Sequence, residues 1–116
     1  MTIRHIESGK RMSQAVVANG FVFLAGQVAE VPTADVAAQT REILGQVDRL
    51  LALAGSDKAH IVSANVYLAD MADFAAMNSA WEPWVAPDAK PARATVQAHL
   101  AGPQYRVEIQ VTAVLV

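Results

Sequence analysis

The chain has 116 residues, of which 53% are hydrophobic and 17% are charged, and its formal net charge is −2. This composition is too apolar for a disordered protein, and the absence of cysteine excludes a disulfide scaffold, a thiolate metal site and a cysteine nucleophile. The negative charge argues against a protein that neutralises phosphates, so we expect no nucleic-acid partner. Because independent domains most often hold ~100–150 residues, we expect residues 1–116 to form one domain.

No stretch of the sequence predicts a membrane partner. No apolar run approaches the roughly 20 residues that a bilayer-spanning helix needs. The N-terminal residues also lack the uninterrupted apolar core of a secretory signal. We therefore expect a cytoplasmic protein.

The first quarter of the chain predicts three strands. A short strand is expected over residues 2–7. The apolar runs 14–18 and 21–25 flank Asn19-Gly20, a dipeptide typical of tight hairpin turns because such turns need a positive φ at both central residues. We expect these two runs to pair as a β-hairpin.

A long amphipathic helix is predicted next. Thr33 or Asp35 can cap its N-terminus, because a side-chain oxygen of either residue can accept hydrogen bonds from the first free N–H groups. Gly55 can end the helix, since glycine adopts the left-handed conformation without penalty. Between these ends, apolar or small residues recur at helical spacing: Val36, Thr40, Ile43, Leu44, Val47, Leu50, Leu51 and Ala54.

A second helix is predicted to begin near Asp70 and to carry Phe74, Met77 and Trp81 on one face. Pro83 lies within its reach and is expected to bend or loosen its last turn. The helical spacing of the tryptophans and of Phe74 is more typical of a hydrophobic core than of a platform for a ligand.

Three further strands complete the prediction. Residues 61–68 are rich in strand formers, and residues 92–100 and 107–115 alternate apolar with polar side chains. In the run 92–100, Arg93 and Thr95 stand on the face opposite Ala94 and Val96. The resulting order, β-β-β-α-β-α-β-β, predicts an α+β or mixed α/β fold with two helices.

One sheet face is expected to lack a helical cover, because two helices cover only one face of so wide a sheet. Val62 or Ile61, together with Val114 and Val116, falls on that second face whichever alternation is chosen. Scattered apolar side chains are common on protein surfaces. Apolar character on both faces nevertheless favours burial against other copies of the chain, so we expect an oligomer.

Several kinds of site are excluded by pattern. The glycines form neither a dinucleotide fingerprint nor a phosphate-binding loop, and no serine occurs in a nucleophile-elbow pattern. His5, His60 and His99 lack the spacing of metal ligands. We therefore expect no metal and no cofactor.

Arg93 and Glu108 are the candidate functional charges. Each lies on the polar face of its predicted strand, and both strands are otherwise rich in apolar residues. An unpaired buried charge costs several kcal/mol. Arg93 therefore either forms a structural ion pair with Glu108 or awaits an anionic ligand, which its planar fork can bind at two points. The spacing alone favours the structural pair and leaves the second interpretation open.

A set of short motifs resembles one known family in order and spacing. These motifs are Gly26-Gln27-Val28, Asp35-Val36-Ala37-Ala38-Gln39-Thr40, Ala54-Gly55, Tyr67-Leu68 with Asp70 and Phe74, Met77-Asn78, Pro91-Ala92-Arg93 and Val107-Glu108-Ile109. With them, the chain resembles the reactive intermediate deaminase (RidA/YjgF) family of enamine/imine deaminases over residues 13–112.

The resemblance implies a chorismate-mutase-like fold in which a mixed sheet carries two helices on one face. It implies a homotrimer whose sheets form a central barrel, with ligand clefts between neighbours. It further implies a cofactor-free hydrolase of the 2-iminobutanoate/2-iminopropanoate deaminase type, which clears reactive 2-imino acids by releasing a 2-keto acid and ammonia.

The family's site residues transfer to named positions of this chain. The arginine that holds the substrate carboxylate corresponds to Arg93, and the glutamate that positions the hydrolytic water corresponds to Glu108. Gly26 and Asn78 correspond to substrate-binding positions, and Thr95 stands where members of the best-known type carry a cysteine.

The chain departs from the family pattern at Thr95, at Met12, which replaces a tyrosine, and in the short loop before the first helix, about residues 30–34. The changes at Thr95 and Met12 bear on substrate preference. Two alternatives fit the same scaffold. One is a pathway-specific deaminase of an aminoacrylate- or aminomuconate-like substrate, and the other is a non-catalytic trimer that senses small carboxylates. The negative net charge disfavours a ribonuclease role, which is sometimes attached to relatives.

Overall fold

The computed structural model describes residues 2–31 and 35–116. Its elements are β1 (Arg4–Ser8), β2 (Ser13–Ala18), β3 (Phe21–Leu24), α1 (Val36–Ala54), β4 (Ile61–Leu68), α2 (Phe74–Trp84), β5 (Ala92–Gln97) and β6 (Val107–Val114). This is the predicted order, with one short 3₁₀ turn added before β4 and another before α2. The fold is α+β, as predicted.

Within the described residues, six strands form one mixed sheet in the order β1-β2-β3-β6-β4-β5. Neighbouring strands pair antiparallel except β4 and β5, which pair in parallel. A parallel pair needs a crossover connection, and α2 lies in that connection. The last strand in the chain, β6, lies in the middle of the sheet, between β3 and β4.

Helix α1 begins and ends where the sequence predicts. The Asp35 carboxylate accepts hydrogen bonds from the backbone N–H of Ala37 at 2.9 Å and of Ala38 at 3.3 Å. Gly55 ends the helix in the left-handed conformation, with a φ of 92°. Thr33, the alternative cap, lies outside the described residues.

Helix α2 begins later than predicted. The side chain of Asp70 accepts a hydrogen bond from the N–H of Ala72 at 2.9 Å and so caps a 3₁₀ turn, after which α2 starts at Phe74. Pro83 lies in the last turn, and the helix ends at Trp84. Neither helix of the described residues is long and apolar enough to cross a lipid bilayer.

The hydrophobic core lies between the helices and one face of the sheet. We call this the covered face, and the side chains that alternate with it along the strands form the open face. In β6 every second residue is buried, as expected when a sheet is covered on one side. The buried strand residues of the covered face are Ala15, Val17, Val22, Leu24, Ala64, Val66, Leu68, Val107, Ile109, Val111 and Ala113.

The open face carries large apolar side chains. Phe21 and Phe23 are 41% and 45% exposed, and their rings lie 6.1 Å apart. Val62 is 45% exposed, and Val114 pairs with Phe21 on this face. The predicted apolar character of the second face is therefore confirmed.

Of the two residues predicted as alternatives for the open face, the structure selects Val62; Ile61 is buried, because an irregularity in the pairing between β4 and β6 follows it. Two other details of the prediction are wrong. Val116 lies beyond the end of β6. The strand predicted over residues 92–100 ends at Gln97, after which the chain forms a loop that leads to β6.

Candidate functional site

Arg93 and Glu108 lie on opposite faces of the sheet. Arg93 pairs with Ala64 in the parallel register and so shares the covered face with it. Glu108 alternates with Val107 and Ile109, which are buried on the covered face, and therefore points to the open face. The prediction of a structural ion pair between them is therefore wrong within one chain. Both residues lie on the polar side of their strands, as predicted, but the polar side of β5 faces α2, whereas the polar side of β6 lies on the open face.

The Arg93 guanidinium lies against one stripe of α2. Its Nη1 donates a hydrogen bond to Oδ1 of Asn78 at 2.9 Å and lies 3.9 Å from Sδ of Met77. Its Cζ lies 5.1 Å from the ring centroid of Trp81 and 5.9 Å from that of Phe74. All four contacts are uncharged, and they leave further N–H donors of the guanidinium for another acceptor.

Arg93 forms none of the ion pairs found among residues 2–31 and 35–116. Partial burial lowers the pKa of its guanidinium, and the nearby charge of Glu82 opposes that effect in part. Arginine nevertheless stays protonated at physiological pH. The site therefore holds a positive charge that has lost part of its hydration and has no carboxylate against it.

A cavity of about 310 Å³ opens beside this charge. It is lined by Asn78, Trp81, Glu82, Val85, Lys90 and Arg93. Its size suits a small molecule, and its lining carries two cationic side chains, Lys90 and Arg93, and one anionic side chain, Glu82. The excess of positive charge favours a small anion as the ligand.

Glu108 lies on the open face against the backbone of Gly26. Two backbone hydrogen bonds between Gln27 and Ile109, of 2.8 Å and 3.1 Å, hold this segment beside β6. A Cβ atom built at Gly26 would overlap the Glu108 carboxylate, so the absence of a side chain there makes room for it. In the described part of the chain, Glu108 takes part in none of the ion pairs.

Thr95 lies on the covered face, because it pairs with the buried residue Val66 two positions after the pair of Arg93. Its hydroxyl oxygen is buried and has no hydrogen-bond partner among the described residues. A buried hydroxyl without a partner costs stability. At the position where members of the best-known type of the family carry a cysteine, this chain therefore has a buried hydroxyl group without a hydrogen-bond partner among the described residues.

The five residues indicated by the sequence form two groups. Arg93, Asn78 and Thr95 lie on the covered side, whereas Gly26 and Glu108 lie on the open face. The sequence interpretation missed the contact of Trp81 with Arg93. The available signal was the placement of Phe74, Asn78 and Trp81 within two helical turns, but their relation to β5 depends on the fold. No group of three potential metal ligands (His, Cys, Asp or Glu) occurs among the described residues.

Comparisons with known proteins give a consistent set of relatives. The family model for endoribonuclease L-PSP matches residues 2–115. A RutC family protein of Haemophilus ducreyi is 42% identical over 113 residues, which cover 97% of each chain. The RutC family protein YoaB of Escherichia coli is 44% identical over 113 residues, which cover 97% of this chain and 98% of YoaB. The crystal structure of a YjgF family member from Neisseria meningitidis is 51% identical, with a TM-score of 0.97 over 100% of this chain and 97% of that one.

The contact between Gly26 and Glu108 yields a first prediction. In Gly26→Ala, we expect the Glu108 carboxylate to move away from its position beside residue 26, because the new methyl group would occupy that space. Thermal stability should change little, since the flexible end of a side chain can yield. Crystal structures of the variant and of Gly45→Ala, where an added Cβ meets no atom within 4 Å, provide the measurement and its control. An unmoved carboxylate in Gly26→Ala would contradict the prediction.

The Thr95 hydroxyl yields a second prediction. Thr95→Val should raise the free energy of unfolding by about 1 kcal/mol, because it removes a buried polar atom that has no partner. Thr40→Val is the matched control: the Thr40 hydroxyl donates to the Val36 carbonyl at 2.8 Å, so its loss should cost about 1 kcal/mol. Urea denaturation measures both. Equal destabilisation of the two variants would show that the Thr95 hydroxyl is compensated.

Proposed function

Since the chain belongs to the YjgF/RutC family, we propose that it is a cofactor-free hydrolase that converts small 2-imino acids into 2-keto acids and ammonia. The observation that carries this proposal is the state of Arg93, a partly desolvated cation beside a cavity of about 310 Å³ that forms none of the ion pairs among the described residues. Its N–H donors are therefore not taken up by a carboxylate of that part of the chain and can receive a substrate carboxylate.

Arg93 binds the substrate carboxylate in this proposal. A charge-assisted hydrogen bond is worth about 1.5–3 kcal/mol, and the guanidinium can make two in parallel. Asn78 occupies one donor at Nη1, so the carboxylate is received by the remaining N–H groups. Fixing the carboxylate orients the adjacent C=N carbon for attack by water.

Glu108 acts as the general base. Its carboxylate accepts a proton from water as the water oxygen bonds to the carbon of the protonated imine (C=NH₂⁺), and the electron pair of the C=N bond passes to nitrogen, which becomes a neutral NH₂ group. In the second half of the reaction Glu108 returns that proton to the nitrogen, the C–N bond breaks and ammonia leaves, and the C=O bond forms as the hydroxyl proton passes back to the Glu108 carboxylate. Such acid–base assistance typically contributes ~10²–10⁴-fold. Gly26 gives the carboxylate its space, and Thr95, whose buried hydroxyl does not line the cavity, is assigned to the substrate site through the strand that it shares with Arg93.

One protomer cannot bring Arg93 and Glu108 to one substrate, because the two residues lie on opposite faces of its sheet. The proposed site therefore combines Arg93 of one copy with Glu108 of another. The apolar open face, with its exposed Phe21 and Phe23, supports an assembly that buries it. We infer a cytoplasmic homotrimer, each copy acting as one domain, with one composite cleft at each subunit boundary.

Mixed assemblies test the function and the composite site together. The wild type should accelerate release of the keto acid from freshly generated 2-iminopropionate, and Arg93→Ala or Glu108→Gln alone should abolish the acceleration. When the two inactive variants are refolded together in equal amounts, roughly a quarter of the clefts receive both intact residues, so about a quarter of the wild-type activity should return. Light scattering measures the mass of the assembly, and the Arg93→Ala variant should keep it.

The outcomes separate the alternatives. Failure of the mixture to regain activity, with mixed assemblies verified by mass, would contradict the composite site. Saturable binding of pyruvate without turnover in the wild type would indicate a carboxylate sensor. Loss of folding in Arg93→Ala would assign Arg93 a structural role.

A further inference from the structure

The side chain of Trp81 combines two environments. It is a core residue, only 6% exposed, yet the Cζ atom of Arg93 lies 5.1 Å from its ring centroid. Phe74, Met77 and Trp81 are spaced so that they share one stripe of α2, and the guanidinium contacts all three. The stripe that joins the helix to the core thus also supports the charged end of Arg93.

The indole of Trp81 also packs against the indole of Trp84. The two ring centroids lie 5.3 Å apart, and Nε1 of Trp84 donates a hydrogen bond to Asp48 of α1 at 3.0 Å. The ammonium of Lys58 lies 5.4 Å from the centroid of the Trp84 ring. The two indoles of α2, of which Trp84 is hydrogen-bonded to α1, therefore have a cation near each ring: Lys58 near Trp84, and Arg93 near Trp81 beside the cavity.

An aromatic face suits an arginine that must bind an anion. A carboxylate neighbour would compensate for the lost hydration of the guanidinium, but it would also occupy the N–H groups that a substrate needs. A ring face attracts the cation through its quadrupole and takes up no N–H donor. The orientation of Arg93 can thus be fixed while its binding capacity is kept.

We propose that Trp81 is a positioning residue, whose ring holds the Arg93 guanidinium in the orientation that receives a small carboxylate from the cavity. This inference rests on the proposed function for the role of Arg93 as a carboxylate receptor. It assigns Trp81 no contact with the substrate. Because Trp81 acts on the substrate carboxylate only through Arg93, loss of the ring should weaken carboxylate binding in the ground state and in the transition state alike, and so raise KM more than it lowers kcat.

The test compares two substitutions of Trp81 with one of Trp84. In Trp81→Leu, KM for the imino acid and the dissociation constant of pyruvate, measured by calorimetry, should both rise about tenfold, whereas Trp81→Phe should stay within about threefold of the wild type because it keeps a ring face. Trp84→Leu is the comparison on the same helix: Trp84 packs against Trp81, whereas the rings near Arg93 are those of Phe74 and Trp81, so this substitution acts on Arg93 only indirectly. It should lower the thermal stability and raise the dissociation constant of pyruvate by less than Trp81→Leu does.

A second measurement needs no variant at Trp81. The chain has two tryptophans, so Trp84→Phe leaves Trp81 as the only indole. Its fluorescence should change saturably with pyruvate, at the dissociation constant that calorimetry gives, and Arg93→Ala should abolish the change. This measurement decides the question if Trp81→Leu fails to fold.

Three results would overturn the positioning role: unchanged pyruvate affinity in folded Trp81→Leu, an equal loss of affinity in Trp84→Leu, or a wild type that does not bind pyruvate. Absence of imine turnover in a wild type that binds pyruvate, with Trp81 fluorescence responding, would contradict the deaminase function and leave the positioning role supported.

Discussion

The separation of Arg93 and Glu108 by the thickness of one sheet is the constraint on which the rest of the site depends. Side chains of neighbouring strands share a face only in the register that pairs them, and the register of β5 turns its polar side toward α2. A chemistry that needs both charges must therefore be shared between copies. The apolar open face and the charged covered side are the two surfaces that the proposed composite site would combine.

The groups that contact the Arg93 guanidinium are uncharged, although Glu82 and Lys90 line the same cavity. An amide oxygen, a thioether and two aromatic rings contact the guanidinium. These groups are weak partners one by one, and none of them neutralises the charge. Thr95, whose buried hydroxyl has no hydrogen-bond partner among the described residues, lies on the same strand as Arg93. The free energy of unfolding is therefore lowered near the proposed ligand site.

Local sequence signals predicted the elements well, and non-local contacts account for what they missed. Both ends of α1 follow from single residues, Asp35 and Gly55, whose effect is confined to one turn. The sequence could not predict which side chains of β5 face the helices, because this depends on how β5 pairs with β4 after the helical crossover. The same holds for the site. The residues were identified by resemblance, but the contact of Trp81 with Arg93 and the space that Gly26 leaves for Glu108 exist only after the strands have assembled.

The position of β6 has a consequence for how the chain acquires its fold. This strand comes after every other described element, yet it lies in the middle of the sheet and joins the β1–β3 unit to the β4–β5 unit. Until β6 has been synthesised, β3 and β4 each keep an unpaired strand edge. Because unpaired edges can mispair with other chains, these two edges are protected only once β6 is in place.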